Sequence, residues 1–269
     1  MDYKLGFIGA GHMGGALIEA ACKTVDPREV LIHDKSEERM TALTAEPGCV
    51  KGSAADVVGK CRYIFLGVKP QNMVELFAEI SSVLCARKDR FVLISMAAGY
   101  AISQIQALSG CDAPVIRIMP NTPVAVGSGC VLYDCSPEVE QGEISEFLGY
   151  MAAGGDFLAL EENLIDAGCS VSGCGPAFVY KFIIALAKAG EKLGLPHEKA
   201  VQLSESTVLG AAKLAIESGK DPETLCREVC SPGGSTIEGV RVLENSEFDS
   251  IIEATANASF KRNRELGKK

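Results

Sequence analysis

Residues 5–14 read Leu5-Gly6-Phe7-Ile8-Gly9-Ala10-Gly11-His12-Met13-Gly14. A short apolar strand runs into a Gly-x-Gly-x-x-Gly turn, and a helical pattern from about Met13 to Lys23 follows. The glycine pattern alone is weak. Placed between a strand and a helix near the N-terminus, it is the fingerprint of a dinucleotide-binding βαβ unit. Gly9 permits the tight turn, Gly11 lets a pyrophosphate approach the backbone, and Gly14 lets the helix pack close to the sheet. The helix start adds N–H donors and positive dipole. Ala10, His12 and Met13 complete this cofactor turn, with His12 a loop residue near the phosphates rather than a catalytic base. Asp34 follows Gly14 by 20 residues, at the end of the strand Val30-Leu31-Ile32. A carboxylate there binds the ribose 2′-hydroxyl of NAD and repels the 2′-phosphate of NADP. Its neighbours Lys35 and Ser36 could each meet a phosphate, so both NAD(H) and NADP(H) stay open.

Further apolar runs extend the pattern: Tyr63 to Val68, Phe91 to Ile94, Val115 to Ile118, Val131 to Tyr133 and Phe157 to Leu160. Continuous runs of this kind suit a parallel sheet covered on both faces. Alternation with helical segments predicts an α/β fold, a doubly wound parallel Rossmann sheet. After about residue 163 the strands stop. Phe178, Phe182, Leu186, Ala189 and Leu193 recur at helical spacing behind Pro176, and Gly194 suits a helix end. Helices are predicted over 198–218, 222–229, 236–243 and 251–266, with a turn at Ser231-Pro232-Gly233-Gly234. The expected division is a cofactor-binding domain over 1–162 and an all-helical domain over 163–269.

Composition narrows the function classes. The 269 residues carry a net charge of −9, against the basic footprint of a nucleic-acid binder. Eleven scattered cysteines form no Cys-x-x-Cys pair, and His12, His33 and His197 lie far apart, so no metal site is expected. Free thiols fit a reducing cytoplasm. The opening Met1-Asp2-Tyr3-Lys4 leads directly into a strand pattern, without the look of a signal peptide. Lys181 and Lys188 interrupt the apolar stretch Pro176 to Leu195, so no membrane span is expected.

Three loops follow strands at the edge where such sheets bind ligands: Val68-Lys69-Pro70, Ser95-Met96-Ala97-Ala98-Gly99 and Met119-Pro120-Asn121-Thr122-Pro123. Two more precede helices in the second half, Ser172-Gly173-Cys174-Gly175-Pro176-Ala177 and Ser231-Pro232-Gly233-Gly234-Ser235-Thr236. Each offers backbone N–H groups at a helix start, the makings of a carboxylate site or of a simple cap.

With these motifs in place the chain resembles the pyrroline-5-carboxylate reductases over nearly its whole length. The glycine turn, Val68-Lys69-Pro70, Met119 to Pro123 and Ser172 to Ala177 all take part. The most specific stretch is Ser231 to Glu238, continuing to Val242-Leu243-Glu244. The resemblance implies an oxidoreductase that uses NAD(P)H to reduce 1-pyrroline-5-carboxylate to L-proline, the final step of proline synthesis. It also implies a helical dimerisation domain, a homodimer or a decamer of five dimers, and a substrate site that helices of the partner chain help to build. Carried onto this chain, Ser231, Gly233, Gly234 and Ser235 hold the substrate carboxylate. Thr236 hydrogen-bonds the ring nitrogen as the catalytic contact, Val68, Lys69, Pro70 and Asn121 line the cofactor, and Ala97 and Ala98 lie near the nicotinamide. Two positions depart from the family pattern. Ala54, beside Ser53, stands in a loop where some members carry Asn, and Asp34 stands where many carry a small or hydroxylic residue. A β-hydroxyacid dehydrogenase with Lys181 or Lys188 as acid/base, or a non-catalytic dinucleotide sensor, would leave the Ser231–Thr236 loop unexplained.

Overall fold

The computed structural model describes residues 2–266. They form two compact units, residues 2–174 with 259–266, and residues 175–258. The first unit begins β1 (Tyr3–Ile8), α1 (His12–Ala21), β2 (Val30–His33), α2 (Glu37–Ala45), β3 (Val50–Lys51), α3 (Ala54–Lys60) and β4 (Cys61–Leu66). It continues with α4 (Met73–Ala86), β5 (Val92–Ser95), α5 (Ile102–Ser109), β6 (Val115–Met119), β7 (Gly129–Cys135), α6 (Gln141–Met151), β8 (Gly155–Ala159) and α7 (Glu162–Val171).

The eight strands make one sheet in the order β3-β2-β1-β4-β5-β6-β7-β8. Alternate residues of each strand supply two separate cores. Phe7, Phe65, Ile94 and Ile118 pack on the side of α1 and α6, while Ile8, Ile64, Leu66 and Leu93 pack on the side of α3, α4 and α5. Burial on both faces explains why the strands read as unbroken apolar runs. The Phe7 and Phe65 rings stack across β1 and β4 with centroids 4.2 Å apart.

Two local features depart from the sequence expectation. The sheet is not wholly parallel, because β7 runs antiparallel to β6. A parallel return needs a crossover of about a dozen residues or more, and the link from Met119 to Gly129 holds only a 3-10 turn, Thr122–Val126. Ala54 is not in a loop. It is the first residue of α3, whose N-cap Ser53 exchanges hydrogen bonds with Asp56 in a capping box.

Past β6, a polar cluster ties α7 to the sheet. The buried Arg117 guanidinium reaches Glu162 and Asp166, both at 3.3 Å. The Glu162 N–H in turn donates to Asp134 on β7 at 2.7 Å. This fixes the helix from which Ser172 emerges.

The second unit contains α8 (Gly175–Lys192), α9 (His197–Ser218), α10 (Pro222–Val229), α11 (Ser235–Glu244) and the start of α12 (Phe248–Leu266). Asp221 caps α10 by accepting the Thr224 N–H at 3.1 Å. Ala187, Ala200 and Ser204 are the only buried residues of this unit. Phe182, Ile184, Leu186, Leu209, Ile216 and Ile251 are exposed. By length and composition only, the stretch Glu162–Lys192 holds a window apolar enough for a membrane span, with a mean hydropathy of 1.5. The turn at Ser172–Cys174, between α7 and α8, divides the stretch into two helices.

Candidate active site

The loops after β1 and β4 meet where the strand order reverses, the usual ligand crevice of an open α/β sheet. The Gly67 N–H donates to the Ile8 carbonyl at 2.7 Å, which seats one loop on the other. A Cβ built on Gly9, whose φ is +103°, would stand 2.6 Å from the Gly67 backbone, and one on Gly14 would stand 2.1 Å from the Gly9 carbonyl oxygen. The chain itself therefore demands those two glycines. Gly11 differs, since its Cβ would meet only the Arg39 Nη1 atom, at 3.4 Å. The space in front of Gly11 is open to a ligand. Gly11 is also the N-cap of α1, and no side chain caps that helix. Free N–H groups at a helix start beside an open glycine fit the pyrophosphate of a dinucleotide.

A cavity of about 290 Å³ opens there, lined by Gly9, Gly11, Asp34, Lys35, Val68 and Lys69. Ala54 and His33 also face it. A second, shallower cavity of about 340 Å³ holds Ala10 and His12 on the other side of Gly11. Asp34 serves the turn as well as facing the cavity. Its Oδ2 accepts the Ala10 N–H at 2.6 Å and its Oδ1 accepts the Ser36 N–H at 2.7 Å. An ionised carboxylate has about four acceptor sites, so two remain for a ribose. The Ser36 hydroxyl accepts the Arg39 N–H at 3.4 Å as the N-cap of α2, and Lys35 pairs with Glu75 at 3.1 Å on the surface. Met13 packs half-buried against the core, and Pro70 opens the 3-10 turn capped by Lys69.

Ala97 is buried and Ala98 half-buried just past β5, beside β4 in the sheet. Asn121, past β6, is 7% exposed, and both its amide nitrogen and its amide oxygen are hydrogen-bonded. It donates to the Ser172 carbonyl at 3.0 Å and accepts the Cys130 N–H at 2.9 Å. Its side chain holds the Ser172 turn in place.

In the second unit, Ser231 to Gly234 make a tight turn in which the Gly234 N–H donates to the Ser231 carbonyl at 2.9 Å. Gly233 takes the left-handed conformation this turn requires, with φ +74°. Gly234 is the N-cap of α11 and again no side chain caps the helix. Ser235 and Thr236 are exposed on its first turn. Among the described residues, α1 and α11 each have a glycine N-cap and no side chain capping their first N–H groups. One faces the crevice of the sheet, and the other carries two hydroxyls beside the free N–H groups.

A family model for pyrroline-5-carboxylate reductase dimerisation matches residues 162–266, and one described as NADP oxidoreductase, coenzyme F420-dependent, matches residues 4–99. The pyrroline-5-carboxylate reductase of Escherichia coli is 34% identical over 271 residues, with all of both chains covered. The chain belongs to the pyrroline-5-carboxylate reductase family. A solved family structure from Coxiella burnetii superposes with a TM-score of 0.92 at 28% identity over the whole of both chains. The Plasmodium falciparum member, solved with NADP bound, gives 0.86 at 26% identity over 99% of this chain and 98% of its own. The Rossmann sheet followed by a helical region is the family's fold, as the sequence predicts.

Residues that sequence reading passed over are Arg39, Gly67, Asn72 and Glu75, all on the 290 Å³ cavity. Arg39 carries a signal of its own, a cation one turn into the helix that follows Asp34. Gly67 has none, because its role depends on Gly9 lying beside it across two strands.

Proposed function

We propose that the chain reduces 1-pyrroline-5-carboxylate to L-proline with NADPH or NADH, as the final step of proline synthesis. The observation that carries this reading is the uncapped, hydroxyl-bearing start of α11 in a member of this family. Consumption of NAD(P)H that depends on pyrroline-5-carboxylate, with stoichiometric proline, is the expected result. Dinucleotide binding without turnover of the imine would overturn the reading.

The α1 N-terminus at Gly11 holds the pyrophosphate. Val68, Lys69 and Pro70 wall the cofactor, with Ala97 and Ala98 toward the nicotinamide. When bound, the reduced dinucleotide would supply a hydride to the imine carbon, the atom that becomes C5 of proline. The substrate carboxylate rests on Ser231, Gly233, Gly234 and Ser235, where free N–H groups and the helix dipole favour an anion. Thr236 Oγ accepts the N–H of the protonated ring nitrogen. Protonation makes the imine carbon the better electrophile, and anchoring the carboxylate and the nitrogen together fixes the orientation of the ring. Orientation of this kind supplies much of the rate. Asn121 contributes by holding the Ser172 turn.

Asp34 has acceptor sites left for both ribose hydroxyls, while Lys35, Arg39 and Lys69 offer cations to a 2′-phosphate. NADH is therefore expected to be a competent donor alongside NADPH. Comparison of kcat/KM for the two checks this, and a preference for NADPH of about a hundredfold, roughly 2.7 kcal/mol, would refute the role of Asp34.

Residues 1–162 act as the cofactor domain and 163–269 as the dimerisation and substrate domain. The exposed apolar side chains of α8, α9 and α12 exceed what a soluble monomer normally leaves in water. They form the homodimer surface rather than a lipid-facing one, and five such dimers make the decamer. Light scattering at micromolar concentration should show at least a dimer, and a fully active monomer would refute it. Eleven free thiols suit the cytoplasm as its location.

A further inference from the structure

Away from the cofactor crevice, two cysteines that the reaction does not use face each other. Cys22 is the C-cap of α1, and Cys49 leads into β3. Their sulfurs lie 3.5 Å apart, although the residues are 27 positions apart in the chain. The two are unequal in access. Cys49 is 4% exposed. Cys22 is half-buried and opens on a surface cavity of about 670 Å³ that it shares with Glu19, Lys23, Ala42 and Glu46. An accessible thiol backed by a buried one within contact distance is the arrangement of an attacking and a resolving cysteine.

We propose that Cys22 and Cys49 form a redox-active dithiol, a modification site for small-molecule disulfides of the glutathione class. The Cys22 thiolate attacks one sulfur of oxidised glutathione. The glutathione S–S bond breaks, one glutathione thiolate leaves and takes up a proton, and Cys22 carries the other as a mixed disulfide. Cys49 loses its proton to solvent and attacks the Cys22 sulfur, forming the Cys22–Cys49 bond and releasing the second glutathione. In sum, two protein thiols are oxidised and one glutathione disulfide is reduced to two thiols.

Electrostatics favour Cys22 as the thiol that attacks first. The hydrogen bond between the two thiols holds the Cys22 thiol below its ordinary value, against burial and the nearby Glu19. The same pairing, with burial, raises Cys49. Closure to a normal S–S bond requires the sulfurs to approach by about 1.5 Å. The Cys49 segment is a loop between α2 and β3, held through the Cys49 N–H on the Leu43 carbonyl at 3.0 Å. The bond would tie the end of the dinucleotide helix to the segment that leads to Ala54 on the cofactor cavity. This site does not depend on the identity of the imine substrate.

The test uses the full-length protein, oxidised glutathione as the probe, and peptide mass mapping without reduction. The wild type should yield a Cys22–Cys49 linked peptide and little glutathione adduct. Cys49→Ala should trap glutathione on Cys22 at a level about tenfold above the wild type, since nothing resolves it. Cys22→Ala should leave Cys49 unmodified. Cys49→Ser serves if the alanine variant fails to fold. In the wild type, oxidation should protect both thiols together from alkylation in denaturant, a readout that needs no variant. The proposal is overturned if Cys22 and Cys49 both stay alkylatable after oxidation. It is equally overturned if the wild type and Cys49→Ala accumulate the same adduct on Cys22.

Discussion

Gly11→Val should weaken NADPH and NADH binding by at least about a hundredfold in a protein that still folds. The structure separates these two effects. A Cβ at this position meets only the tip of the flexible Arg39 side chain, at 3.4 Å, so the fold has room for it. The branched side chain nevertheless stands over the free N–H groups of α1, where the pyrophosphate must approach. Loss of two charge-assisted hydrogen bonds at roughly 1.5–3 kcal/mol each gives about 3–6 kcal/mol, or at least about two decades of affinity. Calorimetric titration of a variant with a native circular-dichroism spectrum measures it. Normal affinity would remove the glycine turn from the cofactor site. Gly14→Val is the control, since its Cβ would stand 2.1 Å from a backbone oxygen and should impair folding itself.

Thr236→Val should lower kcat/KM for pyrroline-5-carboxylate on the order of 10- to 150-fold, from one lost hydrogen bond to a charged partner worth roughly 1.5–3 kcal/mol. Thr236 is exposed on the first turn of α11, and the substitution keeps its shape, so packing within the chain should change little. Dinucleotide affinity should stay within about twofold, because the hydroxyl is assigned to substrate alone. If the bond forms mainly in the transition state, kcat carries the loss, and if it is equally strong in the ground state, KM does. A variant with wild-type kcat/KM would reduce the Ser231–Thr236 loop to a helix start and remove the substrate site from it.

The helix boundaries of the second half were legible because their signals are local. Pro222 opens α10, Gly219 ends α9 with φ +62°, and Gly234 precedes α11, each within a residue or so of the sequence reading. Strands buried on both faces were equally legible as apolar runs. The short β3 and the helix α3 escaped notice. Val50–Lys51 is too brief to show a period, and the capping box of Ser53 and Asp56 lies in a stretch with few large apolar residues.

By itself, the sequence determined the fold class, the glycine-rich turn after the first strand and the hydroxyl-bearing loop, because each depends on residues close together in the chain. Strand-to-helix punctuation and glycine spacing act over a few bonds. The tertiary structure alone decided which glycines of the turn the chain itself needs and which has open space before it. That distinction depends on Gly67, Gly9 and Arg39, which meet only once β1, β4 and α2 are assembled. It also decided that β7 turns back antiparallel, and that the Asn121 amide is engaged with Ser172 and Cys130. These outcomes depend on distance in space, which the order of residues along the chain does not encode locally.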